Sequence, residues 1–198
     1  MNEQKVEFLE DKIITEDGQT VMMSWETPVM INMANQVCKN GGHIIEIGFG
    51  MGISATEIQN QSISSHTIIE SNPQIYQKAL DWAVGKTNVT IIFDDFSNYI
   101  DTTTDKFDGV FFDAFPSEIL GIGDDNFTYG KVFFDKIKRI CNPGCRVVPF
   151  LMGCAFDLNY LIEYVPLSNI EIYDYKLNEF IKTHYFRGDE YKVYVFNI

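Results

Sequence analysis

The sequence predicts an α/β fold: a single domain with a seven-stranded, mostly parallel sheet that ends in a C-terminal antiparallel hairpin. Three observations predict it. Short β-branched runs alternate with helix-length segments, the pattern of βαβ units. The apolar run His43-Ile44-Ile45-Glu46-Ile47 ends in Gly48-Phe49-Gly50-Met51-Gly52 and passes at once into a helical segment, so a strand turns sharply on glycines into a helix. Residues 182–189, between the last two apolar runs, hold no helical pattern, so those strands pair directly. At 198 residues and 45% hydrophobic, the chain can bury one core and is too short for two domains of ordinary size.

In chain order, the first helix is expected over 28–39, opened by Thr27-Pro28, because proline lacks only an N–H that a first turn leaves unbonded. Strand 43–47 and helix 53–60 flank the glycines, and strand 67–70 follows. A helix over 73–84 starts at Pro73, just after Asn72. Apolar runs at 89–93 and 107–112 give two more strands. A helix over 130–141 is expected to stop at Pro143-Gly144, ahead of a strand at 145–151. A helix over 156–164 and strands over 170–177 and 190–197 complete the order.

Acidic residues outnumber basic ones 28 to 15, a net charge of −13. This argues against a nucleic-acid backbone or an anionic membrane surface as partner and suits a small cationic substrate. No apolar run reaches the length of a membrane span, and the polar start Met1-Asn2-Glu3-Gln4-Lys5 leads into no signal-peptide core. Cys38, Cys141, Cys145 and Cys154 lack the paired spacing of a zinc site, and His43, His66 and His184 are scattered. Core or loop thiols in a reducing cytoplasm are therefore expected, with no metal. Oligomeric state is left open, a homodimer included.

Glu70 ends the apolar run Thr67-Ile68-Ile69, eighteen residues after Gly52. Glycines that let the backbone approach a ligand, plus an acid at the next strand tip to accept ribose hydroxyls, form the arrangement of a nucleotide-like cofactor site. Ile53 stands where a dinucleotide fingerprint has its third glycine, and no Gly-Lys-Ser/Thr is present, so NAD and NTP sites are disfavoured. With Glu46 leading into the loop and Glu70 following, the segment looks like a class I S-adenosylmethionine methyltransferase. Gly48, Glu70, Asp94-Asp95 and Asp113 all fall at expected strand carboxyl ends, where open α/β sheets bind ligands. Asp113 reads either as a crevice-facing acid or as a turn residue before Pro116. Glu26, inside Met22-Met23-Ser24-Trp25-Glu26-Thr27-Pro28-Val29-Met30, reads either as a site residue or as a helix-start acid favoured by the helix dipole.

Those residues together resemble the guanidinoacetate N-methyltransferase family, which also includes fungal arginine methyltransferases that modify the internal guanidino nitrogen. The matching pieces are Val21-Met22, Trp25-Glu26-Thr27-Pro28 and Met30, then Glu46 with Gly48-Phe49-Gly50-Met51. They continue as Ile68-Ile69-Glu70 with Asn72, Trp82-Ala83, Phe107-Asp108-Gly109, and Asp113 with Pro116. The resemblance implies a Rossmann-like class I methyltransferase domain, with 1–40 capping substrate and cofactor and 41–198 forming the core sheet.

It further implies that Glu26 and Asp113 are catalytic carboxylates that grip a guanidino group beside Trp25, with Met152 and Gly153 also facing the substrate. Cofactor contacts fall on Met22, Met30, Glu46, Gly48, Phe49, Gly50, Met51, Gly52, Ile53, Glu70, Ser71, Asn72, Asp95, Phe96 and Asp113. The segment Asp94-Asp95-Phe96-Ser97 lacks the family's Trp-Glu pair, and Leu151-Met152-Gly153-Cys154 departs from its polar substrate contacts. The expected activity is N-methylation of a small guanidino or amine compound (guanidinoacetate-, arginine- or agmatine-like), with S-adenosylhomocysteine as product. Another amine, a peptidyl arginine or a natural-product acceptor is the alternative, and a non-catalytic cofactor-binding paralogue a third reading. His184-Tyr185-Phe186 could cap the substrate site, although a structural hairpin histidine is the plainer reading.

Overall fold

The computed structural model describes residues 4–114, 131–151, 162, 164–183 and 185–198. The chain begins with three short antiparallel strands, β1 (Val6–Phe8), β2 (Lys12–Thr15) and β3 (Thr20–Met23), which form a small sheet of their own. A single 3-10 turn, Ser24–Glu26, leads into α1 (Thr27–Val37). There follow β4 (His43–Ile47), α2 (Ile53–Gln59), β5 (Ser65–Glu70), α3 (Pro73–Ala83), β6 (Val89–Phe93), α4 (Phe96–Thr102) and β7 (Phe107–Phe112). After these come α5 (Lys131–Ile140), β8 (Cys141–Pro149), β9 (Ile170–Lys182) and β10 (Arg187–Asn197).

The main sheet has seven strands in the order β6-β5-β4-β7-β8-β10-β9. The first five are parallel, and β10 runs antiparallel to both neighbours, closing the expected hairpin. Alternation along β4 and β7 divides the core. Ile45, Ile47, Val110 and Phe112 pack under α4 and α5 against Ile100, Phe133, Phe134 and Ile137. Ile44 and Phe111 lie on the other face, against Val29, Met30, Met33, Ala34 and Val37 of α1. Burying both faces is what makes these strands near-continuous apolar runs.

The N-terminal sheet lies over the α2–α3 side through Val6 and Ile13, which share a cluster with Phe49, Ala55, Ile68, Ile75 and Ala79. Three hydrogen bonds tie it down: Val6 N donates to Gln74 Oε1 (2.8 Å), Gln74 Nε2 donates to the Val6 carbonyl (3.2 Å), and Asn72 Nδ2 donates to the Gln4 carbonyl (2.8 Å). Both partners sit at the start of α3, so this sheet borders the strand tips.

Strands expected at 43–47, 89–93 and 107–112 occur at those limits, and the 67–70 strand starts two residues earlier. The N-terminal strands and α4 were not expected. Three- and four-residue strands give too few alternations to read. Helix α4 is seven residues long and owes its start to one local hydrogen bond from Ser97 N to Asp95 Oδ1 (2.8 Å). Pro143-Gly144 does not act as the expected helix stop: α5 ends at Ile140, and β8 begins at once and runs through both residues. Gly144 takes a φ of +83° where the β7–β8 register slips, the kind of irregular edge that tolerates a proline lacking an N–H. The helix expected over 156–164 lies outside the described residues except Ile162 and Tyr164. Among the described residues no helix is long and apolar enough to cross a membrane.

Candidate functional site

The tips of β4, β5 and β7 are laced together by backbone bonds. Gly48 N donates to the Ile69 carbonyl (2.9 Å), and Asp113 N donates to the Ile47 carbonyl (3.1 Å). Gly48 has a φ of +87°, and a Cβ there would stand 2.4 Å from the Asp113 carbonyl oxygen. Only glycine lets the β4 loop pass this close to β7. Gly50, at φ +53°, passes over Met22, where a Cβ would stand 2.7 Å from the Sδ, and that Sδ accepts from Met51 N (3.2 Å). The loop therefore rests on the N-terminal segment as well as on the sheet.

Glu70 holds the loop from the other side. Its Oε2 accepts from Phe49 N (2.9 Å) and its Oε1 from Asn72 N (2.8 Å). Burial raises its pKa above the ordinary carboxylate value, and these backbone bonds pull the other way. Each oxygen accepts one N–H, and a carboxylate has about four acceptor positions, so capacity for two hydroxyl donors is left. Asn72 caps α3, its Oδ1 accepting from Gln74 N (2.9 Å) and Ile75 N (3.2 Å). Ser71 between them is half-buried.

Glu46 is fully buried beneath the loop. Its Oε1 accepts from the Ser54 hydroxyl at the start of α2, and its Oε2 approaches His66 Nε2 at 2.9 Å without the alignment of a hydrogen bond. Met30 has no exposed surface and packs within the α1 core, whereas Met51 and Ile53 are half-buried along the loop. Asp95 is occupied as the α4 cap, and Phe96 packs edge-on to Phe112 at 5.2 Å. Met30, Glu46 and Phe96 are thus placed inward, while Glu70 and the glycine loop line the rim.

The second half of the site is built by the turn before α1. Glu26 closes that turn on itself, its Oε1 accepting from Met23 N (2.7 Å). The same oxygen accepts from the Tyr185 hydroxyl (2.8 Å), although Tyr185 lies 159 residues away. Glu26 is 4% exposed, and burial raises its pKa against the effect of these two bonds. Asp113, following β7, keeps part of its surface open. Burial, then the charges of Glu26 and Glu46, push its carboxyl from 3.8 up to about 8. Trp25, next to Glu26 in the turn, is stacked on Phe186 (5.4 Å, 13°) and tilted against Tyr185 (6.0 Å, 30°).

The structure therefore brings together Trp25, Glu26, Asp113, the glycine loop and Glu70 along one rim. Met152, Gly153, Pro116 and His184 lie outside the described residues. Two participants escaped the sequence reading in their roles: Tyr185 as a donor to Glu26, and His66 as the neighbour of Glu46. Neither pairing has a spacing signal, because each joins elements that meet only in the folded sheet.

Comparisons with known proteins give the family and the fold. Among curated proteins, the chain is 33% identical over 184 residues to a Protein arginine N-methyltransferase 2 of Saccharomyces cerevisiae, covering 86% of this chain and 42% of that protein. It is 29% identical over 185 residues to the protein of the same name from Candida glabrata, covering 88% and 43%. The chain thus spans about two-fifths of the length of these relatives. Among solved structures, spermidine synthase from Thermotoga maritima aligns with a TM-score of 0.64 at 11% identity, over 98% of this chain and 72% of that one. The N-methyltransferase NodS from Bradyrhizobium japonicum aligns at 0.60 and 12% identity, over 87% and 96%. These two share the fold. The family described as Guanidinoacetate N-methyltransferase matches residues 6–147, more than half of the chain and every strand tip described above, and the chain belongs to that family.

Proposed function

We propose that this chain is an S-adenosylmethionine-dependent N-methyltransferase whose acceptor is a guanidino group. The observation that carries the acceptor is the pair Glu26 and Asp113. Two carboxyls from different elements are desolvated at one place, each with its pKa raised, beside an aromatic wall. Such a pair is costly when empty and is relieved by a planar cation. Family membership supports the same reading, and the relatives' printed name adds arginine in a protein as a second acceptor to be tested.

The rim residues fit the cofactor. Glu70 has acceptor capacity for two ribose hydroxyls, and the three glycines of the Gly48–Gly52 turn lie at the same edge with no Cβ to hold a ligand off. When bound, S-adenosylmethionine supplies an activated methyl group on a sulfonium, so the chain itself needs no covalent nucleophile.

The work left to the protein is to make a guanidinium nucleophilic. Its pKa exceeds about 12, and no nitrogen has a free lone pair. Glu26 and Asp113 can accept its N–H groups in charge-assisted hydrogen bonds, which fixes the plane of the fork. Arrival of the cation favours ionised Asp113, so binding near neutral pH releases protons to solvent. As the N–C bond forms, Asp113 takes the nitrogen's proton. Trp25, packed on Phe186, walls the acceptor plane and excludes water.

The test is an acceptor screen with labelled cofactor and guanidinoacetate, arginine, agmatine, an arginine peptide and matched primary amines. Methylation of at least one guanidine, with none of its amine counterpart, is expected. Label transfer to amines alone would overturn the guanidino assignment.

A further inference from the structure

We propose that Tyr185 is a positioning residue for the acceptor site: its hydroxyl holds one oxygen of Glu26 so that the other is presented to the guanidino group. This rests on the function proposed above, since it assigns Glu26 to the acceptor. Oε1 of Glu26 receives two donors, Met23 N at 2.7 Å and Tyr185 OH at 2.8 Å. Oε2 receives none among the described residues. A carboxylate with both local donors on one oxygen can no longer rotate freely, and its unused oxygen keeps a fixed direction.

Tyr185 is itself built into place. It sits in the turn between β9 and β10, which Thr183 and Phe186 close: Thr183 N donates to the Phe186 carbonyl (2.8 Å), and Phe186 N donates to Thr183 Oγ1 (2.9 Å). The Trp25 ring contacts both Tyr185 and Phe186. Lower down, the hairpin is pinned to α1, the helix that Glu26 precedes. Tyr191 OH accepts from Asn32 Nδ2 (2.6 Å) and donates to the Pro28 carbonyl (3.2 Å), and its ring stacks on Tyr175 at 5.5 Å. Donor and acceptor are therefore held on one frame, although they stand at opposite ends of the chain.

The chemistry suits a donor and not a base. Burial and the neighbouring Glu26 charge raise the phenol's pKa well above 10, so it keeps its proton at working pH. The ionisable groups around Glu26 are Tyr185 from the hairpin turn and Asp113 from the end of β7, with Glu46 of β4 behind Asp113. Removing the hydroxyl takes away the bond that favours ionised Glu26, so the Glu26 pKa should rise.

The experiment compares wild type, Tyr185→Phe, Glu26→Gln and the double variant, each saturated with S-adenosylhomocysteine. Carbon-13 NMR follows the Glu26 carboxyl, assigned as the resonance missing in Glu26→Gln. In Tyr185→Phe its titration midpoint should rise by about one pH unit, the size expected for a lost charge-assisted hydrogen bond. The acidic limb of kcat/KM for the best guanidine should move with it, and kcat/KM at neutral pH should fall about tenfold. Cofactor affinity and melting temperature should stay close to wild type. In the Glu26→Gln background, Tyr185→Phe should cost little more, because both changes act at one point. An unmoved Glu26 titration, or equal and additive losses in the two backgrounds, would overturn the proposal. If wild type methylates no guanidine, the function reading fails separately, and the carboxyl titration, which needs no acceptor, still decides whether Tyr185 controls Glu26.

Discussion

Asp113 is an acid whose state depends on what stands beside it. Its folded-state pKa, about 8, lies above the ordinary 3.8, so the protonated form is the one that folding favours. The stability this contributes is fully present below about pH 4 and is lost as pH rises through about 8. The thermal midpoint of the empty protein should therefore decline across that window, and Asp113→Asn should flatten the decline. Superimposable curves for wild type and variant would remove the case for a desolvated Asp113. The same variant should lose about 10²–10⁴-fold in guanidine turnover, the usual cost of a missing general base, with cofactor binding nearly intact. Glu26→Gln separates the two readings of that residue. The amide oxygen can still accept from Met23 N and Tyr185 OH, so the turn survives, and relief of a buried charge leaves the midpoint equal or slightly higher. Turnover should nevertheless fall by orders of magnitude. Full activity with a lowered midpoint would reduce Glu26 to a closure of its own turn.

At the scale of elements, the legible parts are those where composition changes abruptly. Strands β4, β6 and β7 are apolar runs stopped by Gly48, Asp94 and Asp113, so both their limits and the rim they end on could be read. The N-terminal sheet was not legible, because strands of three and four residues show too few alternations, and its buried Val6 and Ile13 also pack on Ala55, Ile75 and Ala79, far along the chain. Pro143-Gly144 misled because the dipeptide breaks any regular element, and only the register of β7 against β8 decides which one it interrupts. The β4–α2 loop offers two checks. In Gly48→Ala a Cβ would meet the Asp113 carbonyl at 2.4 Å with φ at +87°, so the loop must shift. That should cost on the order of 1–3 kcal/mol in denaturant-measured stability and weaken cofactor binding as well. Glu70→Ala should weaken S-adenosylmethionine at least tenfold by calorimetry, since it removes the ribose acceptor and leaves Phe49 N and Asn72 N without a partner. Unchanged affinity in Glu70→Ala would mean that Glu70 serves the loop alone.

Across the whole molecule, the hairpin at the C-terminus and the turn before α1 meet over one rim, so the acceptor site joins the two ends of the described chain. This closure is invisible to local pattern, since nothing in the spacing of Tyr185 and Glu26 marks them as partners. What the sequence does display at this scale is charge, a net −13 that gives the molecule as a whole a negative field. Such a field concentrates cations and repels anions, and salt screens it over a Debye length of about 8 Å at physiological ionic strength. The acceptors of the screen therefore separate by their total charge. For agmatine, with two positive groups, kcat/KM should fall steeply as salt rises. Arginine, with one net positive charge, should fall less, and guanidinoacetate, whose carboxylate cancels its guanidinium, should change little. The order follows from the field alone and does not depend on which acceptor reacts fastest. Three parallel salt profiles would mean that the acceptor site is shielded from the molecule's overall charge, and that Glu26 and Asp113 attract the guanidinium only after it has arrived.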